Sequence, residues 1–578
     1  MPPKPIELKD AFKQYRHDQD KILDPQQTVM RFKEILAENQ LNILEEIVRI
    51  DNGRLGIPVY FSICGPEART VIGNYKQMGK GATPDQSQAS AVMELAERYS
   101  LFSFYRNPKN FKLAPRHALN APCLALEQIA RSVNDTSDDQ SVALEFFNDL
   151  PLLWTWAHNL ADARVELVPF NWFWAINQFN GSSAGNCNEE ALCQGICEVV
   201  ERHVCAMISR DGIKPPRIRL ESVKDPVARE LIGKYQSTGV QLYLSDFTLD
   251  MGIPSIGALA WDPATFPQRS EIVWTAGTTP SATKALCRAL TEVAQLAGDF
   301  DSGGNYVASG LPKFKSLQSA RDFIASERTA DLEELPDISD NNIRVEVDNC
   351  IGALTARGLT LFAVDVRHPA LGIPAFYSII PGTRFRERAA HASVGMIVAK
   401  IISETLPAPQ ALARLQDFDA RLPHKYYLQF YRGQLLLNQS EHQEAIDCLE
   451  RALRLQPPDE DLASIYTYLG ICHKEMEQYD AARQVLEMGH QVDPERTDTL
   501  NLLGFCHFKM RAHEAAIACF EKLIALDPSS AIDYANIASN YRAMGKKEEA
   551  IRYYRLALSL DSGIDFARQH LSELGVKG

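Results

Sequence analysis

The chain reads GATPDQSQASAVMELAERYS at residues 81–100 and GNCNEEALCQGICEVVERHV at residues 185–204, and both stretches carry one helical pattern. Each places an ExxER sequence thirteen residues after a glycine. Successive residues of an α-helix turn by about 100°, so the acidic and arginine side chains share one face and the apolar side chains share the opposite face. The spacing therefore predicts two largely buried helices, each with a narrow acidic strip.

The acidic strips have two interpretations. In the first, Glu94–Arg98 and Glu198–Arg202 are surface pairs at positions i and i+4, and each contributes about 0.2–0.5 kcal/mol. In the second, the strips are buried, and the two glutamates of each copy repel one another unless a cation lies between them. The repetition at a fixed offset and the wide apolar face favour the second interpretation.

The residue types indicate which cation would bind. Four carboxylates without a histidine or cysteine on the same strips favour Mg²⁺ over zinc or iron. Protein-bound Mg²⁺ is commonly shared with substrate phosphates, so a nucleotide between the two helices is predicted. The glycine-rich segment Gly73–Gly81 is one residue longer than a P-loop and ends in glycine where the metal-binding hydroxyl would stand. We interpret it as a turn that leaves Lys80 able to contact a phosphate.

A third variant of the pattern begins at Gly277-Thr-Thr-Pro280. Thr279 and Pro280 predict a helix that starts with a threonine N-cap and a proline at the first position. Its polar strip contains Arg288 and Glu292. Two interpretations stay open: Arg288 binds phosphate groups, or it forms an i,i+4 ion pair with Glu292.

These motifs, in this order and spacing, resemble the YcaO family over about residues 20 to 400. The resemblance implies an α+β domain with a fold of its own that binds ATP and Mg²⁺. It also implies an enzyme that phosphorylates the oxygen of a peptide-backbone amide, so that a nucleophile can add at the activated carbon to give azolines, amidines or thioamides. Such chemistry requires positioning and charge neutralisation and no protein nucleophile.

The resemblance also assigns roles to single residues. By it, the magnesium ligands are Glu94, Glu97, Glu198 and Glu201. The nucleotide contacts are Lys21, Thr28, Lys80, Ser183, Asn186, Glu190, Gln194, Arg202 and Arg288, of which Arg202 and Arg288 are the candidate catalytic residues. Lys21 and Thr28 match an opening helix of the family; as an alternative, Lys21 is an exposed helix lysine.

The end of the chain bears on the type of chemistry. Azoline-forming members end in a proline-rich PxPxP tail, whereas this sequence ends Glu573-Leu-Gly-Val-Lys-Gly578. Azoline formation is therefore less expected, and the chain more closely resembles the type that is accessory to methylthiolation of ribosomal protein S12. A different class of function stays open as the alternative, in which the chain is a non-catalytic, ATP-regulated adaptor for protein interactions.

After Pro407 the sequence becomes repetitive. Small residues at Gly433, Gly470, Gly504 and Ala538 are each followed twelve residues later by an alanine. This period of about 34 residues resembles tetratricopeptide repeats, which form an all-α solenoid that binds peptides or proteins. The expected domains are an α+β YcaO-type ATP-binding domain at residues 1–405, a linker at 406–425, and about four repeats with a capping helix at 426–575.

Composition limits the remaining possibilities. The chain has 578 residues, 45% hydrophobic content and a net charge of −14, which argues against nucleic-acid binding. No apolar run indicates a membrane span and no leader pattern indicates secretion, so a cytoplasmic protein is expected. The expected partners are ATP, a peptide or protein substrate, and a protein bound by the repeats, and a homodimer stays open. Cys187, Cys193, Cys197 and Cys205 lack CxxC spacing and are interpreted as buried thiols rather than a metal site.

Overall fold

The computed structural model describes residues 2–14, 20–137, 139–301, 306, 311–385, 392–527 and 530–576. The chain divides into two compact units, residues 1–397 and residues 398–578. The first unit mixes helices and sheets, and the second consists of helices. No helix among the described residues is long and apolar enough to span a membrane.

The strands of the first unit form three sheets. In chain order they are β1 (Leu44–Arg49), β2 (Val59–Cys64), β3 (Lys76–Lys80), β4 (Lys112–Ala114), β5 (Leu152–Asn159), β6 (Val165–Pro169), β7 (Ser182–Ala184), β8 (Arg217–Ile218), β9 (Gln241–Asp246), β10 (Ser255–Trp261), β11 (Val273–Thr278), β12 (Thr329–Ala330), β13 (Phe362–Asp365) and β14 (Ala375–Ile379). The sheet orders are β1-β2-β3, β11-β10-β9-β8-β12 and β4-β5-β13-β14-β7, with β6 paired to β5. All pairings are antiparallel except β8 with β12, which is parallel.

The helices of this unit pack on the sheets or on one another. They are α1 (Pro25–Glu38), α2 (Pro66–Ile72), α3 (Pro84–Arg106), α4 (Leu126–Arg131), α5 (Gln140–Asn148), α6 (Phe170–Asn177), α7 (Asn188–Arg210), α8 (Pro226–Ser237), α9 (Ala282–Ala297), α10 (Arg321–Ile324) and α11 (Ile343–Thr355). The next helix, α12 (Val394–Thr405), contains the boundary between the two units. The two ExxER sequences lie on α3 and α7, as the sequence pattern predicts.

Three helices join the three sheets in a closed cycle. Helix α3 packs on β2 and β3 and also on β7 and β14. Helix α7 packs on β7 and β14 and also on β11, and α9 packs on β10 and β11 and also on β3. Each helix therefore lies against two sheets and each sheet against two of the helices. This arrangement explains why the apolar faces of α3 and α7 are too wide for surface helices.

Glycines allow the close approach of strand and helix at each of these contacts. A Cβ atom at Gly79 of β3 would lie 2.2 Å from the backbone nitrogen of Ala91 on α3. One at Gly277 of β11 would lie 2.3 Å from the carbonyl oxygen of Ala285 on α9. On α7 the glycine is in the helix, because a Cβ at Gly195 would lie 2.6 Å from Ser378 Oγ. At Gly79 and Gly277 the overlap would be with helix backbone atoms, so a larger residue would force the helix away from the strand.

A strand hydroxyl reinforces each contact by donating a hydrogen bond to an alanine carbonyl of the helix. The three pairs are Ser62 Oγ to Ala91 O at 2.8 Å, Ser183 Oγ to Ala191 O at 2.6 Å, and Thr275 Oγ1 to Ala289 O at 3.1 Å. These hydroxyls are buried, where an unpaired polar group would be destabilising. The glycine and the hydroxyl together fix the distance of each helix from its sheet.

The start of α9 differs from the sequence expectation. The helix begins at Ala282 with Ser281 at the N-cap, not at Pro280 after Thr279. The Thr279 hydroxyl instead donates to the Ser281 carbonyl at 2.7 Å, which stabilises a turn before the helix. The prediction of a threonine N-cap is wrong for α9, although the same Thr-Pro pair does cap α3, where Thr83 and Gln86 form a capping box. A threonine–proline pair fits a turn as well as a helix start.

The second unit continues with ten helices in its described residues. They are α13 (Ala408–Arg421), α14 (Tyr426–Asn438), α15 (His442–Arg454), α16 (Asp459–Glu475), α17 (Tyr479–Val492), α18 (Thr497–Lys509), α19 (His513–Leu526), α20 (Ala531–Ala543), α21 (Lys547–Leu560) and α22 (Asp565–Glu573). Contacts are concentrated between successive helices, as in a solenoid. The predicted class, an α+β domain followed by an all-α solenoid, is confirmed.

The small residues of the repeats allow paired helices to pack closely. A Cβ atom at Gly433 would lie 2.8 Å from Leu449 Cγ, one at Gly470 would lie 2.4 Å from Leu486 Cδ2, and one at Gly504 would lie 2.7 Å from the Phe520 ring. The segment 406–425, expected to be a linker, contains α13, which packs on α14. Its buried Ala411, Leu415 and Phe418 supply the apolar helix face.

Replacing Gly79 or Gly277 by alanine should destabilise the first unit. The new methyl group would overlap backbone atoms that cannot move independently, and overpacking of this kind costs about 1–3 kcal/mol or more. Gly352 on α11 has open space at its Cβ position, so Gly352→Ala should be neutral or stabilising by up to about 1 kcal/mol. Urea denaturation of the three variants measures both effects. Equal midpoints for Gly79→Ala and Gly352→Ala would contradict the close-approach argument.

Candidate active site

A cavity of about 650 Å³ lies between α3, α7 and α9 in the first unit. It is lined by twelve of the thirteen site residues predicted from the sequence: Lys21, Thr28, Lys80, Glu94, Glu97, Asn186, Glu190, Gln194, Glu198, Glu201, Arg202 and Arg288. The acidic strips of α3 and α7 therefore face the same space. The closed helix–sheet cycle brings together residues that are up to 267 positions apart in sequence, from Lys21 to Arg288.

Each ExxER sequence forms its own cluster of two carboxylates and one arginine. On α3, Arg98 Nη1 lies 3.0 Å from Glu97 Oε1 and Nη2 lies 3.6 Å from Glu94 Oε1. On α7, Arg202 Nη1 lies 3.6 Å from Glu201 Oε1. The distance from Arg202 Nη2 to Glu198 Oε1 is 4.0 Å. All these side chains are less than one third exposed, so the surface-pair interpretation is wrong.

The charges of the two clusters do not cancel. When ionised, four carboxylates oppose two guanidinium groups, which leaves two negative charges at the wall of one cavity. Burial raises the pKa of the Glu97 carboxyl to about 8; Arg98 opposes this shift, and Glu198 and Glu94 increase it. Burial also raises the pKa of Glu198. This all-oxygen donor set and its excess negative charge suit hard divalent cations such as Mg²⁺.

Glu201 is also tied to the neighbouring sheet. The backbone N–H of Thr278, at the end of β11, donates to Glu201 Oε2 at 3.1 Å. One carboxylate oxygen is thereby directed toward β11, and the other faces Arg202. This bond links α7 to the strand that leads into α9.

The contacts of the polar strip of α9 decide between the two interpretations of Arg288. Glu292 forms its ion pair with Lys80 Nζ rather than with the arginine. Arg288 Nη1 donates to Gln194 Oε1 of α7 at 3.1 Å, and its buried Nε has no hydrogen-bond partner among the described residues. A buried donor of this kind fits an anionic ligand in the cavity.

Lys80 lies beside the same strip. Burial lowers its pKa to about 7; the positive charges of Arg288 and Arg202 add to this effect, and Glu201 and Glu94 oppose it. The predicted phosphate-contacting lysine thus lines the cavity but already has a carboxylate partner in Glu292.

Glu190 organises the end of the cavity near the N-terminal segment. Its Oε1 accepts a hydrogen bond from the backbone of Ile22 at 2.6 Å, and its Oε2 accepts one from the backbone of Asn186 at 2.9 Å. The Asn186 side chain donates to Thr28 Oγ1 at 3.2 Å. Lys21 precedes α1 instead of lying on it. Burial opposes the charge of Lys21, but Asp20 and Glu190 outweigh it and raise its pKa.

Ser183 is the predicted site residue that does not line the cavity. It is fully buried on β7, and its hydroxyl donates to Ala191 O beneath α7. Alternation along a strand places neighbouring side chains on opposite faces. The adjacent Ser182 hydroxyl donates to Glu97 Oε1 and accepts from Arg98 Nη1 at 3.2 Å. Ser183 therefore supports the site through helix packing, and Ser182 contacts the charged cluster.

The cavity also contains functional side chains that the site assignment missed. Arg98 bridges both glutamates of α3, and its guanidinium carbon lies 4.2 Å from the centre of the Phe179 ring. Glu292 neutralises Lys80. The signal for Arg98 was present, since it occupies the same position in its ExxER sequence as Arg202. The partner of Glu292 depends on the approach of β3 to α9, which the sequence pattern does not reveal.

Comparisons with known proteins agree with this geometry. The model of the YcaO cyclodehydratase family, described as ATP- and Mg²⁺-binding, matches residues 78–384, more than half of the chain. A tetratricopeptide domain of cytochrome c-type biogenesis protein H matches residues 430–533, and a tetratricopeptide repeat matches residues 534–563. Residues 430–563 of the second unit are therefore tetratricopeptide repeats, as expected.

Individual relatives each cover part of the chain. An uncharacterised protein of Methanothermobacter thermautotrophicus is 28% identical over 62% of this chain and 93% of its own length. The ribosomal protein S12 methylthiotransferase accessory factor YcaO of Escherichia coli is 27% identical over 38% of this chain and 40% of its own. The structure of YcaO from Methanopyrus kandleri, bound with AMPPCP and Mg²⁺, has the same fold, with a TM-score of 0.50 and 22% identity over 64% of this chain and 94% of that one.

The family match supports the cofactor prediction, because ATP and Mg²⁺ are the ligands that describe the family. The acidic strips, with their two excess negative charges, suit Mg²⁺. The unpaired Arg288 donor suits the phosphate groups of ATP. The chain is a member of the YcaO family that carries a C-terminal array of tetratricopeptide repeats.

Proposed function

We propose that the chain is an enzyme that uses ATP and Mg²⁺ to phosphorylate the oxygen of a peptide-backbone amide. In this reaction the amide oxygen attacks the γ-phosphorus and ADP leaves. A nucleophile then adds to the amide carbon, and inorganic phosphate leaves with the former amide oxygen. The observation that carries the proposal is the meeting of the three polar strips of α3, α7 and α9 at one cavity.

The side chains of the three strips are assigned either to the metal or to the phosphate groups. Glu94, Glu97, Glu198 and Glu201 would hold Mg²⁺, which when bound would neutralise charge on the phosphate groups of ATP. Arg202 and Arg288 would bind the phosphates. Gln194 accepts a hydrogen bond from Arg288 and would keep its guanidinium directed along the cavity. The Thr278 N–H would hold Glu201 in place.

The end of the cavity beside the N-terminal segment is assigned to the nucleoside part of ATP. Lys21, Thr28, Asn186 and Glu190 would contact the nucleoside part of ATP, since they lie together at one end of the cavity. Ser183 takes no direct part in this proposal, because its hydroxyl is engaged in the packing of α7.

The repeats would recruit the peptide or protein that is modified, or a partner protein. Tetratricopeptide arrays bind such ligands on their concave surface. We propose residues 1–405 as the catalytic domain and 426–575 as the recruiting domain. The product would be a thioamide or azoline-type group, or the chain would support methylthiolation, as the name of the Escherichia coli relative suggests.

The alternative function is an adaptor that binds ATP without transferring a phosphoryl group. Retention of all four carboxylates favours the enzyme, since nucleotide-regulated binding alone does not require a complete metal site. The two functions differ in one measurable property, the formation of ADP.

Replacing both Glu198 and Glu201 by glutamine should abolish Mg²⁺-dependent ATP binding. The substitutions keep the side-chain shape but remove two metal-binding charges, so the affinity should fall at least about tenfold. Titration calorimetry with ATP, with and without Mg²⁺, measures the change. Glu189→Gln is the matched control, because Glu189 is buried on the same helix, does not line the cavity and accepts a hydrogen bond from the Lys9 backbone. Unchanged affinity in the double variant would remove the metal assignment.

Arg288→Lys should impair ATP turnover much more than stability. Lysine keeps the charge but loses the planar set of donors, and loss of one such donor costs about 100-fold in rate. ADP release and the melting temperature are measured on the same samples. A large fall in melting temperature with normal turnover per folded molecule would show a structural role instead. ADP release by the unmodified chain no faster than by the double glutamine variant would favour the adaptor.

The affinity for Mg²⁺ and ATP should rise with pH up to about 8. Glu97 has a raised pKa of about 8 in the unliganded protein, so below that pH the metal must displace a proton. Each lower pH unit should weaken binding by up to about tenfold. Lys80, with a pKa of about 7, would instead take up a proton when a phosphate binds beside it. This uptake would make the affinity rise as the pH falls, opposite to the effect of Glu97.

Glu97→Gln separates these two effects. Calorimetry in buffers of different ionisation enthalpy should detect proton release for the unmodified chain and about one proton fewer released for the variant. Equal proton release by both proteins would show that Glu97 is not the group that titrates on binding.

A further inference from the structure

Three cysteines from two helices meet beside the cavity. Cys193 and Cys197 lie on α7, and Cys350 lies on α11, which packs against α7. Their three sulfur atoms all lie within 4.8 Å of one another, and all three residues are buried. Cys193 and Cys197 also line the cavity. The spacing of the cysteines in sequence did not predict this cluster, because Cys350 is contributed by a helix 153 residues later.

The helix geometry disfavours a disulfide between Cys193 and Cys197. Cys193 and Cys197 are four residues apart on one helix, where Cβ atoms are about 5–6 Å apart, whereas a disulfide requires about 3.8 Å. A tetrahedral zinc ion with Zn–S bonds of about 2.3 Å holds its sulfur ligands about 3.8 Å apart. Small side-chain movements within the observed 4.8 Å would reach that spacing. All three sulfurs take part in such a site, but only two could form a disulfide.

The charged groups around the cluster suit thiolate ligands. The ammonium groups of Lys21 and Lys13 act on Cys193, and Lys13 Nζ lies 2.5 Å from Glu346 Oε1 on α11. Hydrogen bonds from the thiols of Cys197 and Cys350, and then the two lysines, hold the pKa of Cys193 well below its usual range, although burial opposes this. The hydrogen bond with Cys193, and burial, raise the pKa of the Cys197 and Cys350 thiols well above its usual range, so zinc would displace their protons on binding. Three thiolates and one Zn²⁺ carry a net charge of −1, which is left to the Lys21 ammonium to balance, since Lys13 is paired with Glu346.

We propose that Cys193, Cys197 and Cys350 form a thiolate site for one zinc ion in the wall of the cavity. Soft sulfur ligands select zinc over magnesium, so this site and the carboxylate strips would bind different metals. The fourth ligand is a water molecule from the cavity, which Cys193 and Cys197 line. The ion would join α7 to α11. This inference does not depend on phosphoryl transfer.

The test uses Co²⁺, a spectroscopic substitute for zinc, with the reduced full-length chain in excess Mg²⁺ to occupy the carboxylates. One equivalent should bind per chain and give a sulfur-to-cobalt charge-transfer band that zinc abolishes. Cys350→Ala should lose this band, since Cys350 supplies a ligand. Cys193→Ser serves as a second variant if the first does not fold. Cys205→Ala is the matched control, because Cys205 is buried on the same helix outside the cluster.

Several results would overturn the proposal. They are the absence of a charge-transfer band in the reduced chain, a band that persists in Cys350→Ala or in Cys193→Ser, and loss of the band in Cys205→Ala with its fold intact. Mass spectrometry supplies a further one, which is the detection of a disulfide that joins Cys350 to Cys193 or Cys197 in a protein whose reduced form takes up no cobalt. A melting curve for each variant distinguishes loss of a ligand from loss of the fold.

Discussion

The desolvation of like charges is the constraint on which the first unit depends. Four carboxylates and two arginines are held at the wall of an interior cavity, where an uncompensated charge is strongly unfavourable. These charged side chains can stay close together only if the helices that carry them are held at fixed positions. The long apolar faces of α3 and α7, the glycines beneath the helices, and the hydroxyl bonds from the strands all serve that rigidity.

The three site helices illustrate one packing solution used three times. In each case a small residue allows the helix backbone to approach a strand, and a buried hydroxyl satisfies a helix carbonyl. The polar strips then differ in charge: two are acidic with an arginine, and the third carries Arg288 and Glu292. The same helix–strand packing with different polar strips therefore places carboxylate ligands for a cation and hydrogen-bond donors for an anion around one cavity.

Much of the fold and of the site follows from the sequence alone. The repeated ExxER spacing identifies the two acidic strips that line the cavity, since helical periodicity fixes which side chains share a face. The 34-residue period identifies the repeats, since each repeat is one helical unit whose small residues recur at the same positions. The role of Ser183 was less accessible, because two adjacent serines on a strand face opposite ways and the sequence does not show which faces the cavity. The Lys80–Glu292 pair and the contact of Cys350 with α7 depend on tertiary packing, which local spacing does not encode.

The closed cycle of α3, α7 and α9 has a consequence for how a ligand enters. Each of these helices packs on two sheets, so none can swing outward without disrupting both interfaces. The wall segment at residues 20–24 is different, because it pairs with no described strand: the Ile22 N–H donates to the Glu190 carboxylate of α7, and the Lys21 carbonyl accepts from the Gln14 N–H. Movement of this segment would break a few hydrogen bonds, whereas movement of a site helix would separate packed apolar faces. We therefore expect a ligand to enter the cavity beside residues 20–24.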